Sequence, residues 1–256
     1  MLDGLFQQAL ASSASRAESV SESDLLERID QTPGALDVYG ALARAEKIKL
    51  IAEIKRASPS KGFLSEIPNP GELAKLYQVS GASAISVLTE ESGFNGSLDD
   101  LVQVRKAASI PLLRKDFIST EYQILEARAA GADFILLILA WLPVQKYLDL
   151  YRFAHELGMG VLVETHTLDE IDVANKSGAQ LIGINTRNLE NFRTDIGLFE
   201  QMAAALNPNS IKVAESSVTK LEDVIRYREA GADCVLVGEA LVTGNPGLLI
   251  PSFTSV

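Results

Sequence analysis

Four apolar runs along the chain open in the same way, with Gly-Ala closing a helical stretch: GASAISVL from Gly81, GADFILLIL from Gly131, GAQLIGIN from Gly178 and GADCVLVG from Gly231. The glycines lie 50, 47 and 53 residues apart, an interval long enough for two strand–helix units. A second apolar run therefore belongs in each interval. Ile48–Ile54 precedes the first segment, and Pro111–Lys115, Gly160–Glu164 and Ile211–Glu215 fill the gaps. These runs are nearly continuous in apolar character, as expected of strands covered on both faces of a parallel sheet. Between them the apolar positions fall at helical spacing over Ser119–Ala130, Leu168–Lys176 and Val218–Ala230. Ser119 reads as an N-cap and Gly131 as a helix stop.

Eight strands alternating with helices in a fourfold βαβα repeat predict an α/β protein built as a closed (β/α)8 barrel, the TIM-barrel architecture, over residues 46–256. An open doubly wound sheet would show a dominant Gly-rich loop, and no G-x-G-x-x-G follows the first strand. Residues 1–45 lie outside the repeat. Leu25, Leu26 and Ile29 follow Asp24 at helical spacing, so short helices are expected here. They read as an N-terminal extension covering the barrel, either at one end or over its mouth, within one folded domain overall.

Composition narrows the partners. Apolar residues make up 47% of the chain, which excludes general disorder, and the formal net charge of −11 argues against nucleic acid or an anionic membrane surface. Any anionic ligand must therefore meet positive charge concentrated in a site. Cys234, the one cysteine, sits in the apolar run CVLVG and reads as a core residue; a disulfide within the chain is excluded. The N-terminus lacks a basic leader, Gln7 and Gln8 interrupt its apolar stretch, and the run Phe134–Val144 is too short to span a bilayer. A soluble, cytoplasmic protein is expected, as a monomer or weak homo-oligomer.

In this architecture chemistry resides where strands end and βα loops begin. Polar exceptions to the apolar strands fall at that level. The first strand ends in Glu53 and Lys55, two apart and so on one side of the sheet. The third ends in Lys115, the fifth in Glu164, and the sixth in Asn185 with Arg187 beyond it. The seventh ends in Glu215 and Ser216, and the eighth in Gly238. Each alone could be a solvated rim residue, but together they describe one acid–base mouth with local cations for a carboxylate or phosphate. The segments Glu215–Val218 and Val237–Ala240 occupy the usual phosphate position of such barrels. Asn95-Gly96 marks a turn, and Phe94 beside it belongs either to the core or to the wall of an aromatic site. His155 and His166 show no metal-ligand spacing with each other or with Cys234, and no nucleotide fingerprint is present.

At these strand ends the chain resembles the indole-3-glycerol phosphate synthases. The similarity runs from about Ile48 to Val242 and rests on IAEIKRASPSKG (Ile51–Gly62), ISVLTE with GFNGS, LLRKDFI (Leu112–Ile118), LVETHT (Leu162–Thr167), IGINTRNL (Ile182–Leu189), VAESS and VLVGEAL. It implies a lyase of tryptophan biosynthesis that closes the ring of 1-(2-carboxyphenylamino)-1-deoxyribulose 5-phosphate, a small phosphorylated substrate, with loss of carbon dioxide and water and without a metal or organic cofactor. By the same resemblance Lys115 donates a proton to the ribulose carbonyl, and Glu164 assists proton transfer and faces the cation developing on nitrogen. Glu53 and Lys55 serve later proton transfers. Asn185 and Ser216 complete the catalytic set and, with Arg187 and Glu215, hold the substrate. Ser58, Ser217, Gly238 and Glu239 take the phosphate, and Phe94 and Phe117 sandwich the aromatic ring. In one place the chain departs from the pattern: Glu215-Ser216-Ser217 stands where E-S-G is expected. Loss of that glycine predicts weaker or shifted phosphate binding.

Two other readings fit a barrel of this kind. One is a related sugar-phosphate enzyme, such as a phosphoribosyl isomerase or a Schiff-base aldolase using Lys115; borohydride trapping separates the aldolase. The other is a non-catalytic ligand-binding barrel, which would have no use for Glu53, Lys55, Lys115 and Glu164 together. A two-activity fusion is not expected, with 18 residues after Gly238.

Overall fold

The computed structural model describes residues 2–188 and 193–256, so Leu189, the last residue of the IGINTRNL motif, lies outside the described residues. Eight parallel strands close into a barrel in sequence order: β1 (Lys49–Ile54), β2 (Ala84–Leu88), β3 (Leu112–Lys115), β4 (Phe134–Ile138), β5 (Gly160–Thr165), β6 (Leu181–Asn185), β7 (Ile211–Glu215) and β8 (Cys234–Val237). β8 returns to pair with β1, from Lys49↔Cys234 to Ala52↔Val237, so the sheet has no free edge.

Strand alternation divides the core in two. Outward residues such as Leu50, Ile85, Leu137, Val163 and Ile184 pack beneath the surrounding helices. Inward residues fill the barrel: Ile51, Ala84, Leu113, Phe134, Leu162, Leu181, Val213 and Cys234 form one buried cluster. The thiol of Cys234 is fully buried, as its apolar setting predicts, and burial pushes its pKa up. The inward series decides where the chemistry goes. Glu53 follows Ile51 on the same side of its strand, Lys115 follows Leu113, Glu164 follows Leu162, Asn185 follows Gly183, and Glu215 follows Val213. The carboxyl ends of these strands therefore aim polar side chains at the barrel axis above an apolar floor.

The N-terminal segment forms α1 (Leu2–Ala17), α2 (Glu22–Gln31) and α3 (Val38–Leu42). α1 is longer than the short helices expected. It meets the loops above the strand ends, where Phe6 stacks on Trp141 with ring centroids 6.1 Å apart and Ser92 Oγ donates to Gln8 Oε1 at 2.7 Å. α3 lies at the opposite end: Val38 and Leu42 join the inward cluster, with Val38 against Gly160, the first residue of β5. Between them α2 runs down the outside of the barrel. Its capping box of Ser21 and Asp24 starts the helix, and Leu25 buries against Tyr122 and Leu125 while Leu26 faces solvent.

Two expected helix starts shift. The helix α6 (Glu121–Ala129), after α4 (Pro70–Val79) and α5 (Leu98–Ala107), is capped by Thr120 rather than Ser119. Thr120 stands three residues before Gln123, whose side chain returns to the cap and forms a capping box that Ser119 is one residue too early to make. After α7 (Val144–Glu156), α8 (Leu168–Lys176) and α9 (Gly197–Met202), the helix α10 (Leu221–Glu229) begins three residues later than Val218. Asp223 accepts from the backbone of Thr219 and Lys220 and sets that start. The short α11 (Glu239–Thr243) and α12 (Pro246–Phe253) complete the chain. No helix among the described residues is long and apolar enough to cross a membrane.

Candidate active site

The carboxyl ends of the strands enclose a cavity of about 810 Å³, and every site residue singled out from the sequence lines it. At its centre stands Lys115. Its Nζ lies 2.9 Å from Glu164 Oε2 and 2.9 Å from Glu215 Oε2, so one ammonium joins β3 to β5 and β7. A second pair, Lys55 Nζ to Glu53 Oε1 at 2.7 Å, sits on the β1 side of the mouth. Two glycines make room for these groups. A Cβ on Gly183 would come 2.0 Å from Glu215 Oε1, and one on Gly238 would come 2.3 Å from Glu53 Oε1 and 3.0 Å from Lys55 Nζ.

The carboxylates around Lys115 diverge in acidity although both are buried. Burial opposes charge on Glu164, but Lys115, His166 and a hydrogen bond from Asn185 outweigh it and hold the pKa down to about 2. Burial also dominates at Glu215; the charge of Glu164 adds to it, Lys115 offsets only part, and the pKa rises to about 7. Glu215 Oε1 has no hydrogen-bond partner among the described residues, in keeping with a carboxyl that carries its proton close to neutrality. Burial works against the Lys115 ammonium, yet Glu164, Glu215 and Glu53 raise its pKa well above the usual lysine value. The mouth thus combines a firmly held cation, an ionised carboxylate and a carboxyl poised near neutrality.

The loop after β7 lies in an unusual conformation. Ser216 and Ser217 both adopt left-handed backbone, with φ of 71° and 66°. Side chains hold them there: Ser216 Oγ donates to Asn185 Oδ1 at 2.8 Å, Ser217 Oγ lies 2.7 Å from Thr186 Oγ1, and Tyr227 Oη donates to the Ser216 carbonyl at 3.2 Å. Asn185 Oδ1 also accepts from the Arg187 backbone N–H at 3.0 Å, so one amide anchors both the β6 and β7 loops. Ser58 is buried at the start of a two-stranded hairpin (Ala57–Ser58 with Gly62–Phe63) that leans over the mouth. Arg187 Nη1 donates to Ser60 Oγ at 3.1 Å, and Lys61 pairs with Glu239, joining this hairpin to the β6 and β8 loops.

The aromatic pair differs from expectation. Phe94 and Phe117 stand 6.5 Å apart with ring planes inclined by 51°. Stacking a substrate ring on both faces needs parallel rings about 7 Å apart, twice a van der Waals contact. The two phenyl groups instead form one continuous wall. Glu90 fixes half of it, accepting from the backbone N–H groups of Gly93 and Phe94 at 2.7 and 3.1 Å. Asp116 fixes the other half, accepting from the Phe117 N–H at 2.8 Å.

Ser60, Lys61, Glu90, Asp116 and Trp141 also line the cavity and were not singled out from the sequence. Lys61 and Asp116 lie inside motifs quoted above, but their residue types carry no sign of which way they point. Trp141, the one tryptophan, follows β4 at the level of the mouth, a position its strand assignment could have flagged. Among the described residues no group of three or more His, Cys, Asp or Glu is arranged to hold a metal ion.

A closed (β/α)8 barrel with an acid–base mouth and clustered cations defines an enzyme of the barrel class built for a small anionic substrate. Comparison with known proteins gives the family. The family model described as indole-3-glycerol phosphate synthase matches residues 2–247. The chain is 53% identical over 221 residues to an indole-3-glycerol phosphate synthase of Leifsonia xyli subsp. xyli, covering 86% of this chain and 85% of that protein. It is 51% identical over 247 residues to the protein of the same name in Mycolicibacterium gilvum, covering 96% and 90%. The chain belongs to the indole-3-glycerol phosphate synthase family, carboxy-lyases of tryptophan biosynthesis. Distant solved structures share the fold alone. A thiamine phosphate pyrophosphorylase from Pyrococcus furiosus superposes with a TM-score of 0.61 at 14% identity, covering 86% of this chain and 96% of that one. An N-acetylmannosamine-6-phosphate 2-epimerase from Clostridium perfringens does so with 0.60 at 17%, covering 76% and 88%.

Proposed function

We propose that the mouth divides the ring closure of 1-(2-carboxyphenylamino)-1-deoxyribulose 5-phosphate among its residues as follows. Lys115 gives a proton to the ribulose carbonyl as the aromatic carbon attacks it. Glu164, kept ionised, faces the cation developing on the anilino nitrogen and assists proton transfer, while loss of carbon dioxide from the attacking carbon restores the aromatic ring. Carbon dioxide and water leave, and the Glu53–Lys55 pair serves the later proton transfers, with Lys55 near the substrate carboxylate. Asn185, Arg187, Glu215 and Ser216 hold the substrate. Ser58, Ser217 and the backbone at Gly238–Glu239 take its phosphate, and Phe94 and Phe117 wall its aromatic ring. The reading needs neither metal nor organic cofactor.

The observation that carries it is the contact of Lys115 with both Glu164 and Glu215 at 2.9 Å, which puts an acid and a base of opposite tendency on one carbonyl-sized target. A Schiff-base role for Lys115 is disfavoured by the same contact, since imine formation requires a neutral amine and both carboxylates favour the ammonium. The extension of residues 1–45 is read as part of the same unit, with α1 closing over the mouth and α3 sealing the floor. The protein works in the cytoplasm, as a monomer or weak homo-oligomer.

The test is turnover of the carboxyphenylamino substrate followed by indole fluorescence. The wild type turns over without added metal, and Lys115→Ala loses about a hundredfold or more in kcat. An inactive wild type, or a fully active Lys115→Ala, removes the assignment of roles.

A further inference from the structure

His166 follows β5 directly after Thr165 and stands behind Glu164, away from the cavity. Both of its ring nitrogens are buried, and neither makes a hydrogen bond among the described residues. Two carboxylates flank it. Nε2 lies 3.4 Å from Glu164 Oε1, the oxygen that Lys115 does not touch, and Nδ1 lies 3.6 Å from Glu170 Oε2 in the first turn of α8. Glu170 is itself held in place, because its Oε2 accepts from the His166 backbone N–H at 2.7 Å. A neutral imidazole would turn its unprotonated nitrogen toward one of the two anions, acceptor against acceptor, whereas an imidazolium presents an N–H to a negative partner on each side.

The chemistry proposed above gives this cation something to do. Once Lys115 has protonated the carbonyl it is neutral, and Glu164 loses the nearest charge that keeps it ionised. At that point Glu164 has to remain anionic to face the developing positive charge. We propose that His166 is a positioning residue, held as an imidazolium between Glu164 and Glu170, that keeps Glu164 ionised and oriented after Lys115 has released its proton. It touches no substrate atom, and no bond to it is made or broken. The inference rests on the reading of Glu164 and Lys115 given under the proposed function.

The charges facing the ring agree with this role. They are Glu164 on β5, Glu170 on α8 and Glu215 on β7; Lys115 on β3 is the other cation on Glu164. Burial lowers the histidine pKa, but the close Glu170 carboxylate and the charges of Glu164 and Glu215 outweigh it and raise the pKa above the ordinary value. A raised pKa means that the charge is present below the ordinary histidine value and disappears as pH rises through the raised one. The alkaline limb of kcat therefore contains the loss of the His166 proton.

Two measurements test this. Steady-state kinetics compare the wild type with His166→Ala and His166→Gln across roughly pH 6 to 9. Both variants lose about tenfold in kcat with KM unchanged within about twofold, and both lack the His166 ionisation on the alkaline limb. Wild-type kcat and pH profile in His166→Gln would show that shape and not charge matters, and would overturn the proposal. The second measurement needs no turnover. The chain has two histidines, His155 and His166, so ring NMR signals are assigned with a His155→Gln variant. His166 titrates above the ordinary histidine range, and the midpoint falls in Glu170→Gln. A His166 that is neutral at pH 7 in the wild type would overturn the proposal even if its variants fail to fold. A wild type that does not turn over would instead remove the assigned reaction, while the NMR result still decides the charge on His166.

Discussion

At the scale of single residues, the site depends on what is absent as much as on what is present. Gly183 leaves room for the Glu215 carboxyl, which occupies the place of a β-carbon to within 2.0 Å. Gly183→Ala must push Glu215 away from Lys115; about a tenfold loss in kcat is expected, read by the fluorescence assay, with circular dichroism unchanged. Ser217 poses the opposite case. At φ 66° it pays a left-handed strain of roughly 1–2 kcal/mol that glycine would not, and recovers part of it, about 1 kcal/mol, through the Thr186 hydroxyl. Ser217→Gly should therefore leave thermal stability nearly unchanged while freeing the loop backbone to approach phosphate, so KM falls. An unchanged KM would show that the serine costs nothing in binding. The sequence marks Ser217 as a departure from the family pattern, but its tether to Thr186 could not be foreseen, because the two lie 31 residues apart in the loops that follow adjacent strands.

Among the elements, the join between β3, α6 and α1 rests on Arg114. This residue alternates with Lys115 along the strand and so points outward, where it is completely buried. It donates to the Gln123 carbonyl at 2.7 Å and pairs with Asp116 at 3.0 Å and Glu126 at 3.3 Å. Glu126 also takes Arg16 of α1 at 2.5 Å. Asp116 in turn holds the Phe117 backbone, so the same network fixes one half of the aromatic wall. Arg114→Ala leaves two buried carboxylates short of a cation, and a loss of about 3–5 kcal/mol in stability to urea is expected. A loss below about 1 kcal/mol would mean that Arg16 compensates. Strands and helices were legible in the chain because apolar runs and Gly-Ala stops follow local rules. The partners that let Arg114 be buried were not, since alternation turns it away from Lys115 but does not show that the Gln123 carbonyl, Asp116 and Glu126 meet it there.

For the whole molecule, the two carboxyls on Lys115 make opposite contributions to the dependence of stability on pH. Glu164, lowered to about 2, stabilises the fold above the ordinary glutamate pKa, and that contribution is lost as pH falls toward 2. Glu215, raised to about 7, binds its proton more tightly folded than unfolded. Its ionisation therefore weakens the fold progressively as pH rises from the ordinary glutamate value to about 7. Thermal melts of Glu215→Gln should lack this decline between about pH 4.5 and 7 that the wild type shows. Parallel slopes in the two proteins would place the buried proton elsewhere.

Local pattern alone determined the number and order of the strands, the closed barrel, the core role of Cys234 and the level at which charged residues gather. All of these follow from periodicity and from the requirement that apolar runs be buried. Tertiary structure decided which charges meet. Closing the barrel set Lys115 between Glu164 and Glu215, tilted Phe94 against Phe117 into a wall, and seated His166 between two carboxylates, and the packing of α6 brought Glu126 to the buried Arg114. Burial and proximity between distant strands give these groups their chemistry, and neither is a property of any one segment of the chain.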